Sequence, residues 1–457
     1  MFALPRTTLL GLIMALPLAS AEAATWRVTT TADGDDGYCT QQCTLREAVA
    51  SANRSVGAQV VLLPAGIFTL SLPAPLDPRG APLDEDDNRH GDLDISGELR
   101  IQGAESLASR IQGAGHGRLL EVRPGGRLVL RDLVLEGGHS ADNGGAVENY
   151  SQLQLRNVLA RNNRAMTPDT AGVPLPEAEA FEHGQGGAIA NYGDLQVVAS
   201  HFHDNVASGA FWNNNLGRGG ALFNRGSLQV LNSEFNANRV DDQGDRGAGG
   251  ALYNQGTATV GRSLFTANRT AEMGLGGAIA NEAGELLLYN STLNGNGGAL
   301  SNGFPGNPAL PQARATLMQV TVAGNAGFAV LNWATLLLRN SLVAGNFDLY
   351  TDGPANCRNL GPHFTYQAKG LLLNSEASNC RGDLFIDYPQ TFQQLLFPLA
   401  DNGGPTRTHA LRPGSLALDA AIGNCSQQDQ RGVSRPQDGN GDGVTICDLG
   451  AYELFQP

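Results

Sequence analysis

Five stretches of the chain share one alternation of apolar and polar positions. They read LQVVASHFHDN (residues 195–205), LQVLNSEFNAN (228–238), ATVGRSLFTAN (258–268), LLLYNSTLNGN (286–296) and LLLRNSLVAGN (336–346). Apolar residues recur two apart, as at Leu228 and Val230, which is the period of a strand with one buried face. Two places after the serine of each phrase stands a bulky apolar residue: Phe202, Phe235, Phe265, Leu293 and Val343. Residues in equal phase would stack on one another inside a hollow coil.

Each phrase follows a second one, GGA-x-x-N, whose first glycine falls at 144, 186, 219, 249, 276 and 297, with a degenerate copy, AVLN, at 329–332. Repeats in this range of lengths indicate stacked supersecondary units. The two phrases together predict a coil of short strand, turn, second strand and return loop. One such unit cannot bury its apolar face alone, but stacked units share a continuous core. The expected fold is all-β, a right-handed parallel β-helix, its hand following the rule for parallel crossovers. Paired glycines would let the backbone turn where a Cβ clashes. Ala188, Ala221, Ala251, Ala278 and Ala299 would point inward beside that turn, and Asn191, Asn224, Asn254, Asn281 and Asn302 would form an amide ladder. The repeats differ in length mainly at one phase, in residues 164–185, 206–218, 239–248, 269–275 and 303–313. These insertions should leave one edge of the solenoid, either as a binding face or as tolerated surface loops.

The first residues stand outside this pattern. Arg6, an apolar run over 9–19 and small residues up to Ala24 describe a secretory signal peptide over residues 1–24. No later stretch is apolar for long enough to span a bilayer. A secreted or cell-surface chain with six cysteines points to disulfides, and their grouping favours Cys39–Cys43, Cys357–Cys380 and Cys425–Cys447. The net charge of −14 and the absence of any basic cluster along the sequence argue against nucleic acid as a partner.

The ends carry a resemblance. CTQQCTLREAVASAN (39–53) resembles the bacterial CSLREA segment, and LREAVASAN reads as a short helix with Leu45, Ala48, Val49 and Ala52 on one face. GDLDISGELR, from Gly91, is similar to the first coil that follows such a segment. DNGGPTRTHALRPGSLALDAAIGNC (401–425), DQRGVSRP (429–436) and CDLGAYE (447–453) resemble the choice-of-anchor Q terminal module. The family is one of exported or surface-associated right-handed β-helices, akin in their GGA-x-x-N repeats to polymorphic outer-membrane proteins. The resemblance implies a disulfide-pinned N-terminal cap over 25–90, a β-helix over 91–346 and a C-terminal module over 347–457. The ending four residues after Glu453, without a sorting tail, points to free secretion or attachment through a partner.

Candidate chemistry is sparse. GHG (115–117) and RIQ (110–112) precede the paired Asp241 and Asp242, the reverse of the polygalacturonase-like order, and no N-T-D occurs, so no catalytic residue is assigned. The best polar cluster is His201 and His203, flanking inward Phe202, with Glu234 and Asn236 in the same columns one coil later. Trp212 in the adjacent loop could stack on a sugar ring. Asp438, Asn440 and Asp442 resemble the first half of a calcium loop, but the twelfth place is Leu449, with Asp448 beside it. The alternative is a plain Gly-rich turn closed by Cys425–Cys447. Calcium is thus the one cofactor suggested, and a polysaccharide or cell-surface glycan the one partner. The leading reading is a non-catalytic binding or adhesion protein. A polysaccharide lyase or glycoside hydrolase of the pectate-lyase-like β-helix type, and a purely structural extracellular component, are the alternatives.

Overall fold

The computed structural model describes residues 24–76, 86–166, 183–209, 216–241, 247–271, 274–305, 313–375 and 378–455. Residues 1–23 of the expected signal peptide and parts of the insertions, Trp212 among them, lie outside these. Three sheets of parallel strands run along one axis, with twenty, ten and four strands among the described residues. This is a parallel β-helix. Each coil gives the long sheet two segments, set at an angle by one residue in the left-handed conformation. That residue is Asp132, Asn157, Ala199, Asn232, Arg262, Asn290, Gln319 and Asn340 in successive coils, with φ between 44° and 55°.

The phase read from the sequence places every coil. Phe202, Phe235 and Phe265 stack inside it, with ring centroids 4.8 and 4.6 Å apart and planes within 5°. The alanines named above are buried. The amide ladder runs from Asn149 through Asn191, Asn224, Asn254, Asn281, Asn302 and Asn332 to Asn359, each side-chain N–H donating to the next Oδ1 at 2.6–2.9 Å. A second ladder, Asn163 through Asn205, Asn238, Asn268, Asn296, Asn325 and Asn346 to Asn356, does the same at the far corner at 2.8–3.0 Å. These asparagines are buried, and unpaired amides there would each cost about 1–3 kcal/mol. The repetition of Asn therefore keeps polar corners dry and satisfied.

Four of the five insertions leave and re-enter at one edge. They start in register at Arg164, Val206, Arg239 and Arg269, and return in register at Gln185, Arg218, Ala248 and Leu275. The fifth, 303–313, instead falls between strands Leu300–Asn302 and Arg314–Met318, at the corner of the first Asn ladder, because it follows the GGA-x-x-N strand directly. All three disulfides form as grouped: Cys39–Cys43, Cys357–Cys380 and Cys425–Cys447. The stack extends past both boundaries expected from the repeat, because irregular sequence can pair with a regular neighbour. Strands at Thr25–Arg27, Gln59–Leu62 and Gly66–Leu70 precede residue 91, and Cys357–Asn359, Thr365–Asn374 and Leu384–Ile386 follow residue 346.

The helix Leu45–Asn53 closes the N-terminal end. Thr44 and Glu47 form a reciprocal capping box, and Leu45, Ala48, Val49 and Ala52 pack into the core. Covering the end in this way removes an open strand edge. The segment after Ile386 does not stack as a further coil. It folds back against the outer face of the long sheet. Thr292, Asn294 and Thr321 hydrogen-bond to Gln430, His409 and the Ala451 amide at 2.7, 2.9 and 2.9 Å. Ala323, Leu342 and Leu372, which face outward, pack with Leu395, Leu411, Leu418 and Leu449 in a second apolar cluster. Within this module the Arg435–Glu453 pair, 2.6 Å apart, is fully buried.

Candidate functional site

The module covers the later coils of the long sheet and leaves the earlier ones open. On these, inward leucines alternate with outward polar residues, and the coil register aligns the outward ones in columns. One column runs Arg127, Gln152, Asp194 and Ser227, and the next runs Gln154, Gln196 and Gln229. Gln154 donates to Gln196 at 2.7 Å. Together these side chains line a trough of about 310 Å³. At the corner where the ten-stranded sheet runs into this face, Tyr150 and Tyr192 stack with centroids 5.1 Å apart and planes within 12°. They stand two residues before Gln152 and Asp194, but the rings lie toward the ten-stranded sheet, with Tyr192 5.9 Å from Phe223, and line no part of the trough. Tyr150 is 43% exposed.

The structure unites four of the five expected binding residues. His201 lies opposite Glu234, and His203 opposite Asn236, on adjacent strands. Asn236 Nδ2 is 2.8 Å from His203 Nε2, whose ring also meets Asp204 through Nδ1 at 2.6 Å. Glu234 accepts a hydrogen bond from Arg407 of the module at 2.8 Å. The cluster therefore lies at the edge of the module, and its carboxylate is engaged in holding the module. The fifth residue, Trp212, lies outside the described residues.

In the tail, Asp438 accepts from the amides of Gly441, Asp442 and Gly443, and Asp442 accepts from Val444 and from Asn440 Nδ2. Asp448 is buried, its two oxygens taken by the amides of Asp419 and Leu454 at 2.9 and 2.6 Å. Burial, and then the Glu453 charge, push its carboxyl up to about 7. Among the described residues, no three His, Cys, Asp or Glu side chains converge as metal ligands.

Sequence reasoning missed the outer face of the ten-stranded sheet. There Asp94, Glu121 and Glu148 occupy one column on consecutive strands, followed by Ala190, Phe223 and Tyr253. The guanidinium of Arg118 meets Asp92 at 2.7 Å, Glu121 at 2.6 Å and Glu148. Tyr150 donates its hydroxyl to Glu148 at 2.9 Å. Arg118 thus stands where a bound cation would, and the group is buried. The signal was present, an acidic residue inside LDI, LEV and VEN at equal phase, but it shows only once the strands are aligned.

Burial lifts the Glu148 carboxyl to about 7, against the opposing pull of Arg118 and the Tyr150 hydrogen bond. The folded chain then keeps a proton that the unfolded chain releases near its ordinary value of about 4.3. Stability contributed through this group is greatest below that value and falls as pH rises toward 7. Glu148→Gln should remove about 3 kcal/mol of this pH dependence. Asp448 gives a second slope of the same sign, so the variant's curve should flatten only in part. Melting curves between pH 4 and 8 that keep the same slope in both proteins would rule this out.

No family model and no curated protein matches the chain. Among solved structures it is similar to the pectate lyase Pel9A, at 13% identity and a TM-score of 0.49, over 94% of this chain and 96% of that one. It is similar to the PL6 family alginate lyase AlyGC at 12% identity and a TM-score of 0.40, over 90% of this chain and 58% of that chain. ORF18 of Geobacillus virus E2 matches at 12% identity and a TM-score of 0.38, over 75% and 61%. What the chain does is therefore read from its own side chains.

Proposed function

We propose that the chain is an exported polysaccharide-binding protein that receives one glycan strand in the trough on the long sheet. The observation that carries this is the ladder of Gln154, Gln196 and Gln229 beside Gln152 on an open face of the long sheet. Amides offer both donors and acceptors to sugar hydroxyls. Strands repeat every 4.8 Å or so along the axis, comparable to the advance of one sugar in an extended polymer. A regular polymer would thus meet the same group on successive rungs. Three disulfides suit an extracellular setting.

Gln154→Ala with Gln196→Ala should weaken retention on polysaccharide gels roughly tenfold, from the loss of about two hydrogen bonds, with the circular dichroism unchanged. Equal retention of the variant and the parent across a broad panel would remove the trough from consideration.

Cleavage of the bound strand is a second reading. It is favoured by the Glu148 carboxyl, held in the neutral range with the Tyr150 hydroxyl upon it, on the ten-stranded sheet around the corner from the trough. Neutral-range carboxyls are suited to general acid–base work. Release of reducing ends or unsaturated products from any one polymer, lost in Glu148→Gln, would put this reading first. Folded protein that binds a polymer and leaves it intact would dismiss it.

A further inference from the structure

The chain is acidic overall, with 44 Asp and Glu against 30 Lys and Arg. The face around the trough is not. Arg100, Arg127, Arg131 and Arg156 all stand exposed on the outward side of strands Glu98–Gln102, Arg127–Glu136 and Gln152–Arg161. Arg131 and Arg156 lie directly opposite each other on neighbouring strands. Like charges so placed repel and weaken a sheet. Acidic groups nearby, with Asp194 in the trough itself, answer them only in part. Arg131 meets Asp132 at 3.2 Å, but that carboxylate also accepts from Asn157 and Gln102 at 2.7 and 2.8 Å. Arg127 meets Glu98 at 3.2 Å, both half exposed, an arrangement worth little in water. Glu136 is taken by Arg110 and Arg161, at 2.8 and 3.0 Å. Among the described residues, neither Arg100 nor Arg156 has an acidic partner.

We infer that these guanidinium groups make the trough selective for a polyuronate, a glycan carrying a carboxylate on successive sugars. The inference rests on the trough reading above and narrows its ligand. A guanidinium presents paired N–H donors in a plane that matches a carboxylate in two parallel hydrogen bonds. Arg127 opens one wall of the trough, and Arg131 and Arg156 stand two columns away on the same strands. A strand lying over the glutamines would therefore find a cationic flank at its side. An anionic ligand would also relieve the repulsion between Arg131 and Arg156. Sulfated glycans share the anionic chemistry, so the test must separate the two.

The test is affinity electrophoresis of the mature protein through gels containing polygalacturonate, dextran sulfate or neutral xylan. Three proteins are compared: the parent, Arg131→Gln with Arg156→Gln, and Arg314→Gln with Arg339→Gln. The last pair is exposed on later coils of the same sheet and changes net charge equally. We expect polygalacturonate to retard the parent, and the Arg131/Arg156 variant to bind it roughly tenfold more weakly, the scale of two exposed charge-assisted contacts. Xylan retention should not change, and the Arg314/Arg339 variant should behave as the parent. Equal losses in the two variants would overturn the inference. So would stronger retention on dextran sulfate than on polygalacturonate. Retention on xylan alone would overturn it while leaving the trough reading intact, and no retention on any polymer would remove both.

Discussion

Gly250→Ala should cost more than about 4 kcal/mol, at the exceptional end for a single substitution, and should split the coil stack near its middle. A Cβ at this position would lie 2.1 Å from the Gly277 carbonyl oxygen of the next coil and 2.5 Å from that of Arg269. Both obstacles are backbone, and the Gly277 oxygen belongs to a chain already pinned by its ladder. Relief would require lifting one coil off the next, which breaks the strand bonds on either side. The preceding Gly249 sits at φ 68°, and its own Cβ would meet the tight turn of its own corner, 2.4 Å from Leu252 O. Gly327→Ala is the control. That residue also has a positive φ, 75°, but open space around it, so only the conformational cost of about 1–2 kcal/mol applies. Urea unfolding of the two variants should separate them widely. Similar midpoints would mean that the corner does not need the close approach.

Arg46→Ala should cost about 3–5 kcal/mol, the range for removing one partner of a buried ion pair. The Arg46 side chain is fully buried, with its guanidinium on both oxygens of Asp33 at 2.9 and 3.3 Å. Its remaining donors reach the carbonyls of Asn88, His90, Gly91 and Asp92 at 2.9–3.3 Å. One side chain thereby ties the capping helix to the segment before it and the loop after it. Burial alone would raise the Asp33 carboxyl, but Arg46 and the amides of Leu72 and Ser71 outweigh it and hold it below its ordinary value. The alanine variant leaves that carboxylate and four carbonyls without their donor. Lysine should rescue little, because an ammonium cannot present the planar fork. Removing Asp33 as well should cost less than the sum of the single changes. Thermal unfolding, with proteolysis near the N-terminus as a second readout, would check this. An unchanged melting curve and unchanged cleavage would show that the cap is held by its apolar face alone.

The contrast between these two sites says how much was legible. The Gly-Gly corner, the Phe column and the first Asn ladder each depend on phase within one coil, which a repeat displays directly. The helix face of Leu45, Ala48, Val49 and Ala52 was equally plain from spacing. Arg46 and Glu47 were not, since polar residues on a short surface helix read as solvated unless their distant partners are known. The Gln ladder of the trough did leave a trace: Leu-Gln recurs in phase at 153–154, 195–196 and 228–229. Its meaning depended on knowing that, among the described residues, the module leaves those coils open. The module's position was written in one outward column, which passes from His201 and Glu234 to Leu264 and later to Leu342 and Leu372. A polar column turning apolar signals a cover, but only after the coils have been placed.

The way the module is fastened gives the molecule an order of assembly. Rung contacts join residues 21 to 42 positions apart in the Asn149 ladder, whereas the module's contacts with Asn294 and Glu234 join residues 115 and 173 positions apart. A chain made from its N-terminus can therefore add each coil to a finished edge, closing one short loop at a time. Non-local contacts form slowly because their long loops must close first. The stack grows like a zipper, and the last segment to arrive latches it. A chain interrupted before residue 395 could hold its ladders and its aligned columns, yet would present as open surface the apolar strip that the finished protein hides.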